Sequence, residues 1–247
     1  MIKLEIYLDL EKTLLNDDNE LSENSKMLLN SLALDNQITI LSMAPLSEIK
    51  ILTSWPNCRL VSVLENKALY LGQTETFYLD NNVLNSIIAD EAIYTAYTIA
   101  CETIIFKYQQ RLEDFYPGKY FRLANKIDFL CSFLILAVNK PDFERIKEKL
   151  KNNYINILVE DTHRVIINVT ATESTKEAFL LRYKKAPAIG AGDSLSDYEF
   201  IKHCEYQVAM KNASPELIDL CKSTTEFDNN HDGVLRHINY LLKHQPS

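Results

Sequence analysis

Apolar and polar positions in the first 70 residues follow a pattern of short buried strands separated by helices. Apolar runs of strand length occur at 2–8, 38–41, 60–64 and 69–71. Leucines recur at helical spacing after Ser22, a typical N-cap residue, and a second helical stretch covers 46–53. Strands that alternate with helices form a parallel sheet with right-handed crossovers. The pattern therefore predicts an α/β unit.

The pattern changes after residue 80. The predicted elements are a mostly helical stretch at 82–112, a strand pair at 121–126 and 129–139, an amphipathic helix opened by Pro141, and a hairpin at 155–160 and 164–171. A β-β-α-β-β order inside a β/α chain is typical of an inserted domain. We therefore expect an insertion here rather than a continuation of the first sheet.

The alternation of strands and helices resumes at Glu173. The predicted elements are helices at 176–183 and 197–203, strands at 188–189 and 206–210, and helices that begin at Ser214-Pro215 and at Asp232. Ser196 and Glu199 have the spacing of a capping box for the helix at 197–203. The chain is therefore predicted to consist of a core at 1–78 and 173–247, interrupted by an inserted domain at 79–172.

Composition excludes several classes of partner. The formal net charge of −8 argues against nucleic acids and anionic membranes as general partners. The five cysteines are scattered without a CxxC pair, so we expect neither a disulfide framework nor a structural zinc, and a reducing, cytoplasmic location fits best. No apolar run approaches the roughly 20 residues that span a bilayer, and the strand-like N-terminus predicts no signal peptide. A monomer and a homodimer are both open.

Candidate chemistry concentrates in the segment APAIGAGDSLSD at 186–197. An apolar strand runs here into Gly192 and Asp193, and a second carboxylate, Asp197, follows four residues later. Two of the five glycines, Gly190 and Gly192, lie in this segment, which indicates a tight turn or the close approach of a ligand. The C-terminal ends of strands are the usual ligand-binding edge of open α/β sheets. A ligand site is therefore expected here.

A second acidic cluster follows the first predicted strand. If this strand lies beside the strand before Asp193, one edge of the sheet carries four carboxylates, those of Asp9, Glu11, Asp193 and Asp197. Like charges a few Å apart repel by several kcal/mol at intermediate dielectric. A divalent cation would remove this repulsion, and Mg²⁺ prefers carboxylate and backbone oxygens and bridges to phosphates. The sequence therefore predicts a magnesium site at this edge.

The same edge carries residues suited to hold a phosphoryl group. Ser42, at the end of the second strand, can donate a hydrogen bond to a phosphoryl oxygen, and Lys176 can neutralise charge during phosphoryl transfer. The metal would keep Asp9 ionised, as a nucleophile must be. Taken singly, each residue has an ordinary explanation: Asp9 as a turn cap, Ser42 as a strand-end hydrogen-bonding residue, Lys176 as a surface lysine. Their shared placement at strand and helix ends favours a site.

Several motifs resemble those of the haloacid dehalogenase superfamily. They are DLEKTLL at 9–15, similar to the family's DxDGTLL, then Ser42-Met43-Ala44-Pro45, the turn Glu65-Asn66-Lys67-Ala68, Lys176, GDSLSD at 192–197, and VAMKNASPELIDLCKSTTEFDNNHDGV at 208–234. The closer likeness is to the Cof-type and sucrose- or mannosylglycerate-phosphatase branch, which carries a large α/β cap of the C2 type (type IIB). The resemblance covers the whole chain and implies a Rossmann-like α/β core with the cap at 79–172.

The resemblance also implies roles for individual residues. Asp9 is expected to be the nucleophile that forms an aspartyl-phosphate, and Glu11 the acid and base, with its backbone carbonyl on the metal. The implied metal site comprises Asp9, Glu11, Asp193 and Asp197, and the implied phosphate site comprises Ser42, Lys176 and Asn212. Asp197 is expected to orient the waters of the metal or Lys176. The implied activity is Mg²⁺-dependent hydrolysis of a small phosphorylated metabolite, such as a sugar phosphate.

Four positions depart from the family's pattern. Glu11 stands in place of an aspartate, Lys12 of a glycine, Ala44 of an arginine and Ser196 of an asparagine. Displacing a catalytic group by about 1 Å can cost roughly a hundredfold in rate, so a non-catalytic protein that binds a phosphometabolite or a partner is an alternative. A third interpretation is phosphoryl transfer to another acceptor. The sequence leaves open which of Arg122, Lys126, Asn168 and Thr170 face the cleft.

Overall fold

The computed structural model shows two β-sheets with helices packed against them. It describes residues 4–49, 55, 57–80, 82, 95–99, 103–107, 121–123, 132–137, 140–160 and 165–244. Within these residues, one sheet has eight strands and the other has six. This mixed architecture confirms the α/β fold class that the sequence predicts.

The eight-stranded sheet is built from the two ends of the chain. Its strands are β1 (Glu5–Asp9), β2 (Gln37–Ser42), β3 (Cys58–Ser62), β4 (Lys67–Tyr70), β5 (Gln73–Thr76), β12 (Ala188–Gly192), β13 (Tyr206–Ala209) and β14 (Ser223–Thr224). The spatial order is β14-β13-β12-β1-β2-β3-β4-β5. Pairing is parallel from β14 to β3, and β4 and β5 extend the sheet as antiparallel strands. β1 therefore lies between β2 and β12 at the centre of the sheet.

Helices cover both faces of this sheet, as the alternation of strands and helices predicts. The described helices are α1 (Glu23–Asp35), α2 (Leu46–Ile49), α3 (Lys140–Lys149), α4 (Lys176–Tyr183), α5 (Tyr198–Ile201), α6 (Pro215–Leu220) and α7 (Gly233–Lys243). Alternate residues of β1 enter different cores, because Ile6 and Leu8 pack with α1 and α7 while Tyr7 packs with α4 and α5. The sequence of a parallel strand that is buried on both faces is a continuous apolar run, which is the pattern at 2–8.

The six-stranded sheet lies in the middle of the sequence. Its strands are β6 (Thr95–Ile99), β7 (Thr103–Lys107), β8 (Phe121–Leu123), β9 (Ser132–Ala137), β10 (Tyr154–Glu160) and β11 (Val165–Thr170), in the order β10-β11-β9-β6-β7-β8. The helix α3 buries Phe143 and Ile146, as its amphipathic pattern predicts. The predicted hairpin of β10 and β11 is also present.

Polar contacts join the two sheets where the chain passes between them. The Asn168 Nδ2 donates to the Leu64 carbonyl at 3.0 Å, and the Asn66 Nδ2 donates to the Thr172 Oγ1 at 3.1 Å. The first sheet thus takes its strands from residues up to Thr76 and from 188 onward, with the second sheet between them. The domain limits at 78/79 and 172/173 stay a prediction.

Several predicted elements differ from the observed ones. The helical prediction for 82–112 is wrong at 95–99 and 103–107, which are strands rich in Thr, Ile, Tyr and Phe. In the described parts of the strands predicted at 121–126 and 129–139, β8 pairs with β7 and β9 pairs with β6 and β11, so the predicted pairing between these two strands is not found there. Among the described helices, none has the length and apolar character needed to cross a bilayer.

Candidate active site

The carboxyl ends of the three central strands meet at one edge of the larger sheet. Asp9 is the last residue of β1, Ser42 of β2 and Gly192 of β12. The parallel register pairs Asp9 with Leu41 and Leu8 with Ala191, so the three strand ends lie side by side. Asp9 is only 3% exposed. The sheet therefore assembles the predicted strand-end residues into one buried site.

Lys176 links two carboxylates of this site. It is the first residue of α4, which is capped by Thr175 through a hydrogen bond from the Ala178 amide. Its Nζ lies 2.5 Å from the Asp9 Oδ1 and 2.6 Å from the Asp197 Oδ1. Burial acts to lower the pKa of Lys176, but the two carboxylates outweigh it and hold the pKa above its usual value. Lys176 is therefore a fixed positive charge in the site.

Asp197 is completely buried, and both of its carboxylate oxygens are engaged. Besides the contact of Oδ1 with Lys176, its Oδ2 accepts hydrogen bonds from the Asp193 amide at 3.2 Å and from the amide and hydroxyl of Ser194 at 3.0 Å. Ser194 and Asp197 form the capping box of the short 3₁₀ turn Leu195–Asp197. The observed capping box therefore begins two residues before the one predicted at Ser196 and Glu199.

The Asp9 carboxylate has partners on both oxygens as well. In addition to the contact of Oδ1 with Lys176, the Thr13 hydroxyl donates to Oδ2 at 3.0 Å. Burial raises the pKa of Asp9 to about 7, with Lys176 opposing the shift and the charges of Asp197 and Glu11 adding to it. One lysine therefore does not neutralise the negative charge that the fold collects around Asp9.

Three carboxylates converge in the manner of a metal site. Asp9, Asp193 and Asp197 each offer an oxygen, and these atoms lie within 4.8 Å of one another. Burial and the charge of Asp197 raise the pKa of Asp193. A crowded set of hard oxygen ligands with excess negative charge fits Mg²⁺. Because the oxygens of Asp197 already accept hydrogen bonds, Asp9 and Asp193 are the better direct ligands and Asp197 a supporting residue.

The Glu11 side chain points to Ser42. The Ser42 Oγ donates to the Glu11 Oε1 at 2.8 Å and accepts a hydrogen bond from the Ala44 amide, also at 2.8 Å. Among the described residues, the carboxylates that group within 4.8 Å do not include that of Glu11. Its side chain is half-buried, adds to the negative charge around Asp9 and pairs with the residue predicted to hold phosphate.

Asn212 connects two loops at the same edge. Its Nδ2 donates to the Lys12 carbonyl at 2.9 Å, and its Oδ1 accepts from the Asn229 amide at 3.1 Å. Lys12 itself has a left-handed backbone, with φ at 57°, a conformation that favours glycine. In this structure Asn212 thus holds the loop after β1 in place, and its contact with a phosphate stays a prediction.

A family model of haloacid dehalogenase-like hydrolases matches residues 65–238, which is more than half of the chain. The chain belongs to this family. The match includes Lys176, Asp193, Asp197 and Asn212 of the site. No curated protein is similar enough to match the chain. The family predicted from the motifs is therefore confirmed.

Solved haloacid dehalogenase structures share the fold over nearly the full chain. A haloacid dehalogenase-like hydrolase from Bacteroides thetaiotaomicron is 18% identical, with a TM-score of 0.71 over 97% of this chain and 99% of that one. A protein from Thermotoga maritima is 17% identical, with a TM-score of 0.71 over 100% and 98%. A sugar phosphatase of subclass IIB is 12% identical, with a TM-score of 0.64 over 97% and 99%. At these identities the likeness shows the fold alone.

Two residues that contact the acids of this haloacid dehalogenase-like site were not predicted from the sequence. The hydroxyl of Thr13, four residues after Asp9, donates to the Asp9 carboxylate. The hydroxyl of Ser194, three residues before Asp197, donates to the Asp197 carboxylate. A signal for Ser194 exists in the sequence, because a serine followed three residues later by an acid is the signature of a capping box. Thr13 lies inside the DLEKTLL motif, and its spacing alone predicts no particular contact.

The sequence left open which of Arg122, Lys126, Asn168 and Thr170 face the cleft. Lys126 and the side chain of Arg122 lie outside the described residues. Asn168 binds the Leu64 carbonyl in the turn after β3, and the Thr170 hydroxyl donates to the Thr172 carbonyl at 2.7 Å. Both described side chains are thus engaged at the junction of the two sheets, and neither carries an assignment to substrate.

Proposed function

We propose that this chain is a Mg²⁺-dependent phosphatase that hydrolyses a small phosphorylated metabolite through an aspartyl-phosphate. The observation that carries the proposal is the buried Asp9 at the end of β1, with the Lys176 Nζ at 2.5 Å and the Asp193 carboxylate within 4.8 Å. A nucleophilic carboxylate needs adjacent positive charge, which Lys176 supplies, and the carboxyl ends of strands are the usual ligand-binding edge of α/β sheets. Membership of the hydrolase family supports the same chemistry.

The proposed reaction has two steps, both at phosphorus. In the first, an oxygen of Asp9 bonds to phosphorus, the bond from phosphorus to the leaving oxygen breaks, and that oxygen takes a proton from Glu11. In the second, water gives a proton to Glu11 and bonds to phosphorus, and the bond to Asp9 breaks to release phosphate. Glu11 thus ends each cycle protonated and Asp9 ionised.

The remaining residues bind and neutralise charge. Lys176 offsets the charge that spreads over the phosphoryl oxygens in the transition state. Bound Mg²⁺ would supply further positive charge there, and the Asp9 and Asp193 carboxylates with the Glu11 backbone carbonyl are the residues that would hold it. Asp197 keeps Lys176 in place through the 2.6 Å contact.

A sugar phosphate is the proposed class of substrate. The support is the shared fold with a subclass IIB sugar phosphatase and the presence of a second sheet, which as a cap would select the substrate by shape. A cytoplasmic location stays the prediction from composition, and the sequence leaves a monomer and a homodimer both open.

A non-catalytic binding protein is the second candidate, and two features of the site favour it. The Ser42 hydroxyl is already hydrogen-bonded to the Glu11 carboxylate, and Ala44 supplies no positive charge to a phosphate. In that case the site would bind a phosphometabolite without turning it over.

Phosphate release from a panel of sugar phosphates and p-nitrophenyl phosphate, with Mg²⁺ and then with EDTA, tests the proposal. The wild type, Asp9→Asn and Asp219→Asn run in parallel, since Asp219 is an exposed aspartate on α6. Mg²⁺-dependent release that is lost in Asp9→Asn and kept in Asp219→Asn is the expected result. Wild-type release no greater than that of folded Asp9→Asn would favour the binding protein.

A further inference from the structure

The hydroxyl of Ser42 is fully used in this structure. Ser42 is completely buried. Its Oγ accepts a hydrogen bond from the Ala44 amide and donates its single proton in a hydrogen bond to the Glu11 Oε1 at 2.8 Å. The Glu11 Oε1 accepts this bond, which leaves Oε2 as the oxygen that carries the proton of the acid. To donate to a phosphoryl oxygen, the hydroxyl would first have to leave Glu11.

The fold places these two residues together through strand register. Asp9 pairs with Leu41 in the parallel ladder, so Ser42 lies one step beyond the pair on β2, while Glu11 lies two steps beyond Asp9. An aspartate at position 11 would be one methylene shorter, about 1.5 Å, than the glutamate that makes this contact. The contact at 2.8 Å therefore depends on the longer side chain.

We propose that Ser42 is a positioning residue for the Glu11 carboxyl group. This inference rests on the phosphatase activity proposed above and changes the role of Ser42 from phosphate ligand to support of the acid. The hydrogen bond occupies Oε1 and fixes the orientation of the carboxyl plane, which leaves Oε2 as the oxygen that exchanges a proton with the leaving group and with water. A glutamate has one more rotatable bond than an aspartate, so fixing it removes freedom that would misplace the proton.

Leaving-group dependence separates this role from phosphate binding. The p-nitrophenolate ion leaves phosphorus without a proton at neutral pH, whereas a sugar alkoxide needs one from an acid. Loss of a positioned acid therefore lowers kcat/KM, which reports on the steps up to departure of the leaving group, more for a sugar phosphate than for p-nitrophenyl phosphate. Loss of a phosphate ligand weakens both substrates alike, together with inorganic phosphate as an inhibitor.

The test compares Ser42→Ala with the wild type on the best sugar phosphate of the panel and on p-nitrophenyl phosphate. We expect kcat/KM for the sugar phosphate to fall about tenfold more than kcat/KM for p-nitrophenyl phosphate, within the range that positioned acids contribute. The inhibition constant of inorganic phosphate should stay within about twofold. Ser42→Thr, which keeps the hydroxyl, should recover most of the lost kcat/KM, and a melting curve of each variant checks that it is folded.

A double-mutant comparison completes the test. In a Glu11→Ala background, Ser42→Ala should have almost no further effect on kcat/KM, because the residue that it positions is gone. Equal losses of kcat/KM on both substrates, or a weaker inhibition by phosphate that persists in Glu11→Ala, would overturn the positioning role while leaving the phosphatase intact. If the folded wild type releases no more phosphate than Asp9→Asn, the proposed activity fails, and the role of Ser42 in it fails with it.

Discussion

Gly192 lies directly against the carboxylate of Asp197. A methyl group at position 192 would come within 2.5 Å of the Asp197 Cβ and 2.6 Å of its Oδ2. The sequence suggested that this glycine serves a tight turn or a close ligand. The structure shows instead that it makes room for the buried acid that holds Lys176 and the amide of Asp193. A glycine in the strand and a carboxylate five residues later thus form one unit.

Gly192→Ala should therefore damage the site more than the fold. The alanine methyl would push Asp197 away from Lys176, and overpacking of this kind costs about 1–3 kcal/mol of the free energy of unfolding. A displacement of about 1 Å would lower kcat roughly a hundredfold. Urea unfolding and phosphate-release kinetics measure the two effects.

Gly72→Ala is the matched control for Gly192→Ala. Gly72 has φ at +75° and open space where a Cβ would be. The alanine there should cost about 1–2 kcal/mol through backbone strain and leave kcat unchanged. Wild-type kcat in folded Gly192→Ala would contradict the coupling between Gly192 and Asp197.

Asp193→Asn and Asp197→Asn should separate metal binding from structural support. Asp197 accepts from Lys176 on one oxygen and from three donors on the other, so an amide group leaves one side unpaired. Breaking a buried pair in this way costs about 3–5 kcal/mol of the free energy of unfolding. Asp193 is half-buried with a raised pKa, so removing its charge should not destabilise the metal-free protein.

Melting curves with and without Mg²⁺ test this division of roles. The wild type should gain stability from the ion, because a ligand of the native state raises the melting temperature. Asp193→Asn should lose that gain while it keeps the metal-free melting temperature of the wild type. An equal loss of metal-free stability in the two variants would show that both acids are structural.

The sequence predicted the position of the site better than its internal contacts. Apolar runs before Asp9 and before Asp193 were enough to place both acids at strand ends, because parallel strands in an α/β unit share one carboxyl edge. The contact of Ser42 with Glu11 joins residues 31 positions apart and depends on the register of β1 and β2, which local spacing does not determine.

The failures have a similar physical origin. Ser194–Asp197 and Ser196–Glu199 are equally spaced as capping boxes, and the observed one is selected by Lys176, which binds Asp197 from another helix. The strands β6 and β7 contain β-branched and aromatic residues, but their neighbours in sequence carry helix-forming residues. What stabilises a strand is its cross-strand partner, and β6 pairs with β9, more than 30 residues away.

Lys12→Gly and Lys12→Ala should separate backbone strain from side-chain charge. Lys12 has φ at 57°, so alanine keeps the strain of the left-handed backbone and glycine relieves it. The larger entropy of glycine in the unfolded chain offsets part of this relief. The glycine variant should therefore be, on balance, about 1 kcal/mol more stable than the alanine variant. Urea unfolding measures the difference, and an alanine variant as stable as the glycine variant would contradict it. Both variants lose the charge equally, so any shared change in KM reports on the lysine side chain.

Asp9→Asn should gain stability relative to the wild type, in the metal-free protein, as the pH rises. Burial raises the pKa of Asp9 from 3.8 to about 7. A carboxyl group whose pKa is higher in the folded state stabilises fully below its unfolded pKa, and that contribution is lost as the pH rises through the folded pKa. The loss amounts to about 4 kcal/mol in total, of which about 2–3 kcal/mol falls between about pH 5 and pH 8. Asparagine has no such dependence.

Urea unfolding of the wild type and Asp9→Asn in EDTA measures this difference. The stability advantage of Asp9→Asn should grow by about 2–3 kcal/mol between about pH 5 and pH 8, while other titrating groups cancel because both proteins contain them. Saturating Mg²⁺ should shrink the advantage, since the cation stabilises the ionised carboxylate that the variant lacks. An advantage that stays constant with pH would mean that Lys176 alone keeps Asp9 ionised, and that the site needs no cation to remain folded at neutral pH.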